Sequence, residues 1–267
     1  MKTIAISSGK GGTGKSCLAI NLGICLSEMG KRVAILDANF ALAGLDVLLG
    51  VTPKFHIGHV LLGRMLKSFD DIIIETPVGL KIIPASSGLR CLSALTAKQR
   101  NRLKKGLDSL VTKTDFLIID MEPGLTNTVS YLQELADEVW FVTVSEPTAI
   151  VNCYAGIKSL LVDSPSKAVR IVVNQVKDEG EAMAIFKDIQ TVTKQFLNRK
   201  LFYLGYVRSD ANVGESVRIQ SPIVLEVPDS PASEDYRKLA CSFLNPDEST
   251  EFAAWLASQA VPNDWVN

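Results

Sequence analysis

Ser7-Ser8-Gly9-Lys10-Gly11-Gly12-Thr13-Gly14-Lys15-Ser16 is the stretch that decides the reading of this chain. From Gly9 to Ser16 it spells G-x-x-x-x-G-K-S. Gly9, Gly11, Gly12 and Gly14 free the backbone to turn inward, so that successive N–H groups converge on phosphate oxygens. Lys15 is placed to reach the terminal phosphates, and Ser16 to offer its hydroxyl to Mg2+. A helix starting here also points its positive end at the anion. The motif requires a strand before it and a helix after it. Lys2-Thr3-Ile4-Ala5-Ile6 reads as a buried strand and Cys17 to Met29 as a helix, which favours a phosphate cradle over a mere glycine-rich turn.

Working outward, Val33-Ala34-Ile35-Leu36 is a second apolar run, and it delivers Asp37 at its end. Phe116-Leu117-Ile118-Ile119 delivers Asp120 in the same way, the Walker B pattern in which a strand-end carboxylate orients Mg2+ waters beside the cradle. Between them, 38–50 reads as a loop with a short helix, 56–66 as a helix, and 72–74 and 80–83 as short strands. Beyond Asp120 the alternation is regular: helix over 127–135, strand 138–144, helix 149–161, strand 169–173, helix 181–198, strand 201–207. This predicts an α/β fold with a doubly wound, mostly parallel sheet and helices on both faces. Asn174 and Asp210 then reach the same rim as Lys15, Asp37 and Asp120, where polar edges can read a base. Ser230-Pro231 opens a helix through Leu244, and Asn245-Pro246 ends it.

Residues 1–245 are therefore expected to form the nucleotide domain and 246–267 a helical tail. In the tail, Phe252, Trp255, Leu256 and Ala260 share a helical face. No Lys or Arg follows Lys238, so a membrane-surface helix would lack its basic face, and docking on the domain or on a partner is the preferred reading.

Composition limits the alternatives. The 267 residues carry 28 Lys+Arg against 29 Asp+Glu, which offers no global attraction to nucleic acid or to anionic lipid. Lys98, Arg100, Arg102, Lys104 and Lys105 form a basic stripe over 96–110. Without interleaved aromatics it reads as a solvated face rather than a nucleic-acid surface. His56 and His59 have no carboxylate or Cys at ligand spacing, so they read as ordinary histidines. Five cysteines without a C-x-x-C pair indicate neither a disulfide framework nor a zinc site, and Cys91 and Cys153 lack the setting of a cluster ligand. No segment approaches eighteen apolar residues and the N-terminus enters a strand at once, so the expected location is the cytoplasm, with peripheral contact at the membrane as the variant.

With these residues in place the sequence resembles the MinD/ParA family of P-loop ATPases, the deviant Walker A group. Lys10, directly after Gly9, matches that group's second, signature lysine. Leu36-Asp37-Ala38 through Leu45-Asp46-Val47-Leu48-Leu49-Gly50, Glu146-Pro147-Thr148-Ala149-Ile150 and Leu204-Gly205-Tyr206-Val207 are similar to MinD and to the flagellar-number regulators of the FlhG/FleN type. The stretch from Glu215-Ser216-Val217-Arg218 to Ser230-Pro231-Ala232-Ser233 resembles the FlhG type specifically.

The resemblance implies a homodimer formed around ATP, with Lys10 reaching the partner's phosphates and ADP as the product. It also implies a protein partner in flagellar or other polar machinery, while Asn39 leads to the expectation of slow hydrolysis rather than none, because phosphoryl transfer depends mostly on positioning. It makes Asp37 and Asp120 the Mg2+-side carboxylates and Asn174 and Asp210 the adenine contacts. Four positions depart from the pattern. Asn39 stands where the family usually has the Asp that helps place the attacking water. An amide can still hold a water, but it cannot take its proton. Cys17 replaces a hydroxyl or amide residue that contacts phosphate, Asn152 replaces an Asp, and Glu122 replaces a small residue or Pro. These departures motivate a second hypothesis, a nucleotide-binding adaptor with little or no hydrolysis. The basic stripe motivates a third, a ParA-like partitioning ATPase.

Overall fold

The strand that feeds the glycine loop, β1 (Lys2–Ser7), lies inside an eight-stranded sheet. The computed structural model describes residues 1–63, 68–85, 87–88, 90–92 and 94–245, and the expected tail helix lies outside these residues. The other strands are β2 (Val33–Ala38), β3 (Ile74–Glu75), β4 (Lys81–Ile83), β5 (Phe116–Met121), β6 (Glu138–Thr143), β7 (Ala168–Val176) and β8 (Phe202–Arg208). Their order across the sheet is β3-β4-β2-β5-β1-β6-β7-β8. All pairings are parallel except that of β3 with β4. From β1 the chain moves to one side, and it later crosses from β5 over β1 to β6. The carboxyl end of β1 is thus a topological switch point, the place where open α/β sheets form ligand crevices.

Period-two alternation divides the apolar side chains between two layers. Leu36, Leu117, Ile119, Val139 and Phe141 face the cores of α4 (Ala97–Asp108), α5 (Asn127–Leu135), α6 (Pro147–Asp163) and α7 (Glu179–Leu197). Ile35, Ile118, Trp140 and Val142 face α1 (Lys15–Glu28), α9 (Ile223–Glu226) and α10 (Pro231–Leu244). The helix α1 is buried almost all round between Leu18 and Leu26, as a helix without a polar face must be. The short helices α2 (Leu45–Leu48), α3 (Ile57–Leu61) and α8 (Ala211–Arg218) lie in connections.

The expected elements recur with small shifts, and the differences have physical reasons. The strand expected over 72–74 shrinks to Ile74–Glu75, because Ile72 and Ile73 donate back to Phe69 O in a turn while the Ile72 side chain enters the core. Within 56–66 the helix covers Ile57–Leu61, and residues 64–67 lie outside the described residues. The helix α7 starts two residues earlier than the sequence suggested, because Asp178 accepts from Glu181 N and caps it. Ser230 caps α10 as expected, accepting from Ser233 N at 3.2 Å. The two histidines are tied to each other, with His56 N donating to His59 Nδ1 and the rings 4.0 Å apart. The basic stripe is not a free row: Arg102 donates to Leu61 O, while Arg100 donates to Leu95 O and stacks on Tyr131.

Candidate functional site

The loop after β1 makes its turn at Gly14, which sits in the left-handed region (φ 86°) as the N-cap of α1. A Cβ there would also lie 2.2 Å from Asn174 Nδ2, so only glycine fits. Asn174, at the end of β7, donates through that nitrogen to Thr13 O at 2.8 Å, and Gln175 Nε2 reaches Gly12 O. The other side of the loop is equally tight. A Cβ on Gly9 would stand 2.2 Å from the backbone oxygen of Asn152 in α6.

Inside this frame Lys15 is buried and donates from Nζ to Ser8 Oγ at 2.9 Å. Burial lowers its pKa, opposed by the charge of Asp120. Ser16 Oγ donates to Asp120 Oδ2 at 2.6 Å. Cys17 is half-buried, and its thiol is pushed up by burial and then by Asp120, which leaves it a poor nucleophile. Gly11 and Gly12 are exposed, and Lys10 beside them is half-buried and ion-paired with Glu146 at the start of α6.

The carboxylates arrive from the sheet. Asp37 and Asp120 are register partners on β2 and β5, and they follow Ile35 and Ile118 onto the α1 side by strand alternation. Asp37 is held by backbone N–H groups of Asn39 (3.0 Å), Gly44 (3.1 Å) and Leu45 (3.3 Å). Burial, then the charge of Asp120, nevertheless raises its pKa to about 7. Burial raises Asp120 to about 6 against the pull of Ser16 and Lys15.

Two polar atoms around the cradle are buried and have no hydrogen-bond partner, Asp120 Oδ1 and Thr13 Oγ1. An orphaned carboxylate oxygen beside a serine hydroxyl and a second buried carboxylate is a donor set that suits a hard divalent cation. Ser16, Asp37 and Asp120 could hold it, directly or through water, and such a cation would neutralise charge on a bound phosphate. Lys15, Thr13 and the loop N–H groups could hold the phosphate itself.

The remaining expected residues are also placed. Asn39 lies just past β2, half-buried, and its Oδ1 accepts from Leu42 N at 3.2 Å. Asp210 lies across the rim, where it caps α8 by accepting from Asn212 N and also accepts from Ala232 N at the head of α10. Burial tends to raise its pKa, but these hydrogen bonds outweigh it and hold the carboxyl below its ordinary range. Ser8, Gln175 and the pairing of Lys10 with Glu146 escaped the sequence reading. Ser8 stands next to the motif and was legible as a hydroxyl in the cradle. The Lys10 pairing spans 136 residues and leaves no local signal.

Comparison with known proteins fits this geometry. The AAA_31 family, described as an AAA domain, matches residues 1–176. Antiactivator FleN of Pseudomonas aeruginosa is 33% identical over 240 residues, covering 90% of this chain and 85% of that protein. The chain belongs to the MinD/ParA family of P-loop ATPases. Within that family, the flagellum site-determining protein YlxH of Helicobacter pylori is 32% identical over 219 residues, covering 81% of this chain and 73% of YlxH. Among solved structures, the septum site-determining protein MinD of Pyrococcus horikoshii, complexed with Mg-ADP, superposes with a TM-score of 0.74 at 24% identity, covering 90% of this chain and 94% of that one. That likeness is one of fold.

Proposed function

We propose that this MinD/ParA protein binds ATP with Mg2+, dimerises around it, hydrolyses it slowly and acts as a switch that sets the placement or number of a cellular structure such as the flagellum. The observation that carries the reading is the division of labour between two lysines in one loop. Lys15 is buried against Ser8 and committed to its own cradle. Lys10 stands half-buried on the rim, and among the described residues it is held by a largely solvated ion pair with Glu146, of the kind worth about 0–1 kcal/mol. A cation so weakly held can leave for the phosphates of a second copy, as a trans arginine finger does. YlxH is by its name a flagellum site-determining protein, and this supports the choice of process.

The test is light scattering coupled to size-exclusion chromatography without nucleotide, with MgADP and with a non-hydrolysable MgATP analogue. The expected result is a dimer in the last condition alone. Lys10→Ala should stay monomeric while still binding a fluorescent ATP analogue. Identical elution in all three conditions overturns the switch. The adaptor reading draws on Asn39, whose carbonyl is committed to Leu42. It predicts wild-type phosphate release no faster than that of Lys15→Ala.

A further inference from the structure

Two departures from the family pattern follow the ends of neighbouring strands. Asn39 and Glu122 directly follow Ala38 and Met121, the last register pair of β2 and β5. They leave the sheet on neighbouring strands, which run about 4.8 Å apart. Each lies two residues beyond an acid of the site, Asp37 or Asp120, in the turn that follows its strand.

Glu122 is a buried carboxylate, 7% exposed. Its Oε1 accepts from Thr126 Oγ1 at 2.7 Å. Among the described residues no cation pairs with Glu122, and its Oε2 accepts no hydrogen bond. The turn that begins at Glu122 lies against the cradle: Gly124 N donates to Ser8 O at 3.1 Å, and Pro123 Cγ is 3.8 Å from the place a Cβ on Gly11 would take. Asn39, by contrast, has its carbonyl engaged by Leu42 N, which leaves one amide lone pair beside an NH2 donor. A water that attacks phosphorus must present its lone pair to the phosphorus and its hydrogens to an acceptor. Of the two neighbours, Glu122 brings the carboxylate, a stronger acceptor than an amide, with one oxygen that no described residue engages.

We propose that Glu122 orients the hydrolytic water in this chain, so that the carboxylate has moved one strand over from position 39. The inference rests on the ATP reading above. In the step, the water oxygen bonds to the γ-phosphorus, the bond from that phosphorus to the bridging oxygen of ADP breaks, and the surplus proton leaves with phosphate to solvent. Glu122 Oε2 accepts a hydrogen bond from the water and ends the step ionised. Thr126 fixes the direction of that oxygen by holding the other one.

The experiment compares wild type, Glu122→Ala, Glu122→Gln, Thr126→Val and Glu122→Ala combined with Asn39→Asp. Three readouts are taken with Mg2+: affinity for a fluorescent ATP analogue, phosphate release, and affinity for ADP with aluminium fluoride, a mimic of the phosphoryl group in flight. Glu122→Ala and Glu122→Gln should bind the ATP analogue within about two-fold of wild type. Both should lose about ten-fold or more in phosphate release and in affinity for the mimic. Thr126→Val should fall between them and wild type, and adding Asn39→Asp should restore turnover to Glu122→Ala. Glu122→Gln preserves size and serves as the test if the alanine variant does not fold. Unchanged turnover and unchanged mimic affinity in a folded variant that binds ATP overturn the proposal. A wild type that binds ATP without turnover also overturns it while leaving the switch intact, and a wild type that binds no ATP overturns both.

Discussion

Asp37 and Asp120 face each other across adjacent parallel strands with both carboxylates shut away from solvent, each 1% exposed. Burial disfavours the charged form of each carboxylate, the charge of Asp120 adds to this at Asp37, and raised pKa values are the result. With Asp37 at about 7 and Asp120 at about 6, the folded chain holds protons that the unfolded chain releases above the ordinary carboxylate value of 3.8. Their contribution to stability is therefore fully present below pH about 4 and is lost as pH rises through 6 to 7. Thermal melts of the nucleotide-free protein should show stability falling between pH 5 and pH 8, by on the order of a few kcal/mol. Asp37→Asn and Asp120→Asn should flatten that fall; melts that track wild type at every pH would refute the pairing.

Removing the Ser16 hydroxyl isolates one contact of the same pair. Ser16→Ala leaves Asp120 with neither oxygen satisfied and should cost about 1–3 kcal/mol in urea unfolding of the ligand-free protein. It should also erase the difference in nucleotide affinity between Mg2+ and EDTA. If that difference survives, the cation is held elsewhere.

Gly14 tests the cradle as geometry. An alanine there must take a left-handed conformation, at about 1–2 kcal/mol, and must push Asn174 away from Thr13. Gly14→Ala should lower stability by about 2 kcal/mol or more, and Asn174→Ala in the same chain should recover part of it, since the obstructing amide is then gone. Simple additivity of the two losses would show that the clash is not the cause.

Far from the cradle, Glu138 is buried and accepts from Trp140 Nε1 at 2.8 Å and from Arg170 Nε at 3.3 Å, with Lys2 also within 3.3 Å. Glu138→Leu removes the buried carboxylate that accepts from Trp140 and Arg170, and should cost about 3–5 kcal/mol in denaturant unfolding. Nucleotide affinity of the folded fraction should stay at the wild-type value. A change there would tie this pair to the site.

The sequence carried a large part of this architecture because its signals are local. The apolar runs ending at Asp37 and Asp120, and the alternation of runs and helical stretches after Asp120, each depend on a few consecutive residues. The loop from Gly9 to Ser16 is likewise contiguous, so Lys15, Ser16 and both carboxylates could be placed on one rim before any coordinates. What escaped was non-local or low in contrast. Glu146 meets Lys10 only because α6 begins beside the loop. The helices α8 and α9 are short, and Gly214 and Pro222 in or beside them read as breaks, although Asp210 was a legible cap for α8. Asn174 and Asp210 reached the expected rim, yet their side chains carry bonds to Thr13 and to two helix starts that no spacing rule supplies.

The contact between Gly9 and Asn152 has a mechanical consequence. Two backbones that leave no space for one carbon atom cannot slide past each other, so a displacement of the loop is passed directly to α6. The preceding residue of that helix, Val151, turns its side chain to solvent at 64% exposure. The loop and α6 thus share one rigid seam, with the phosphate cradle on one side and the exposed Val151 on the other.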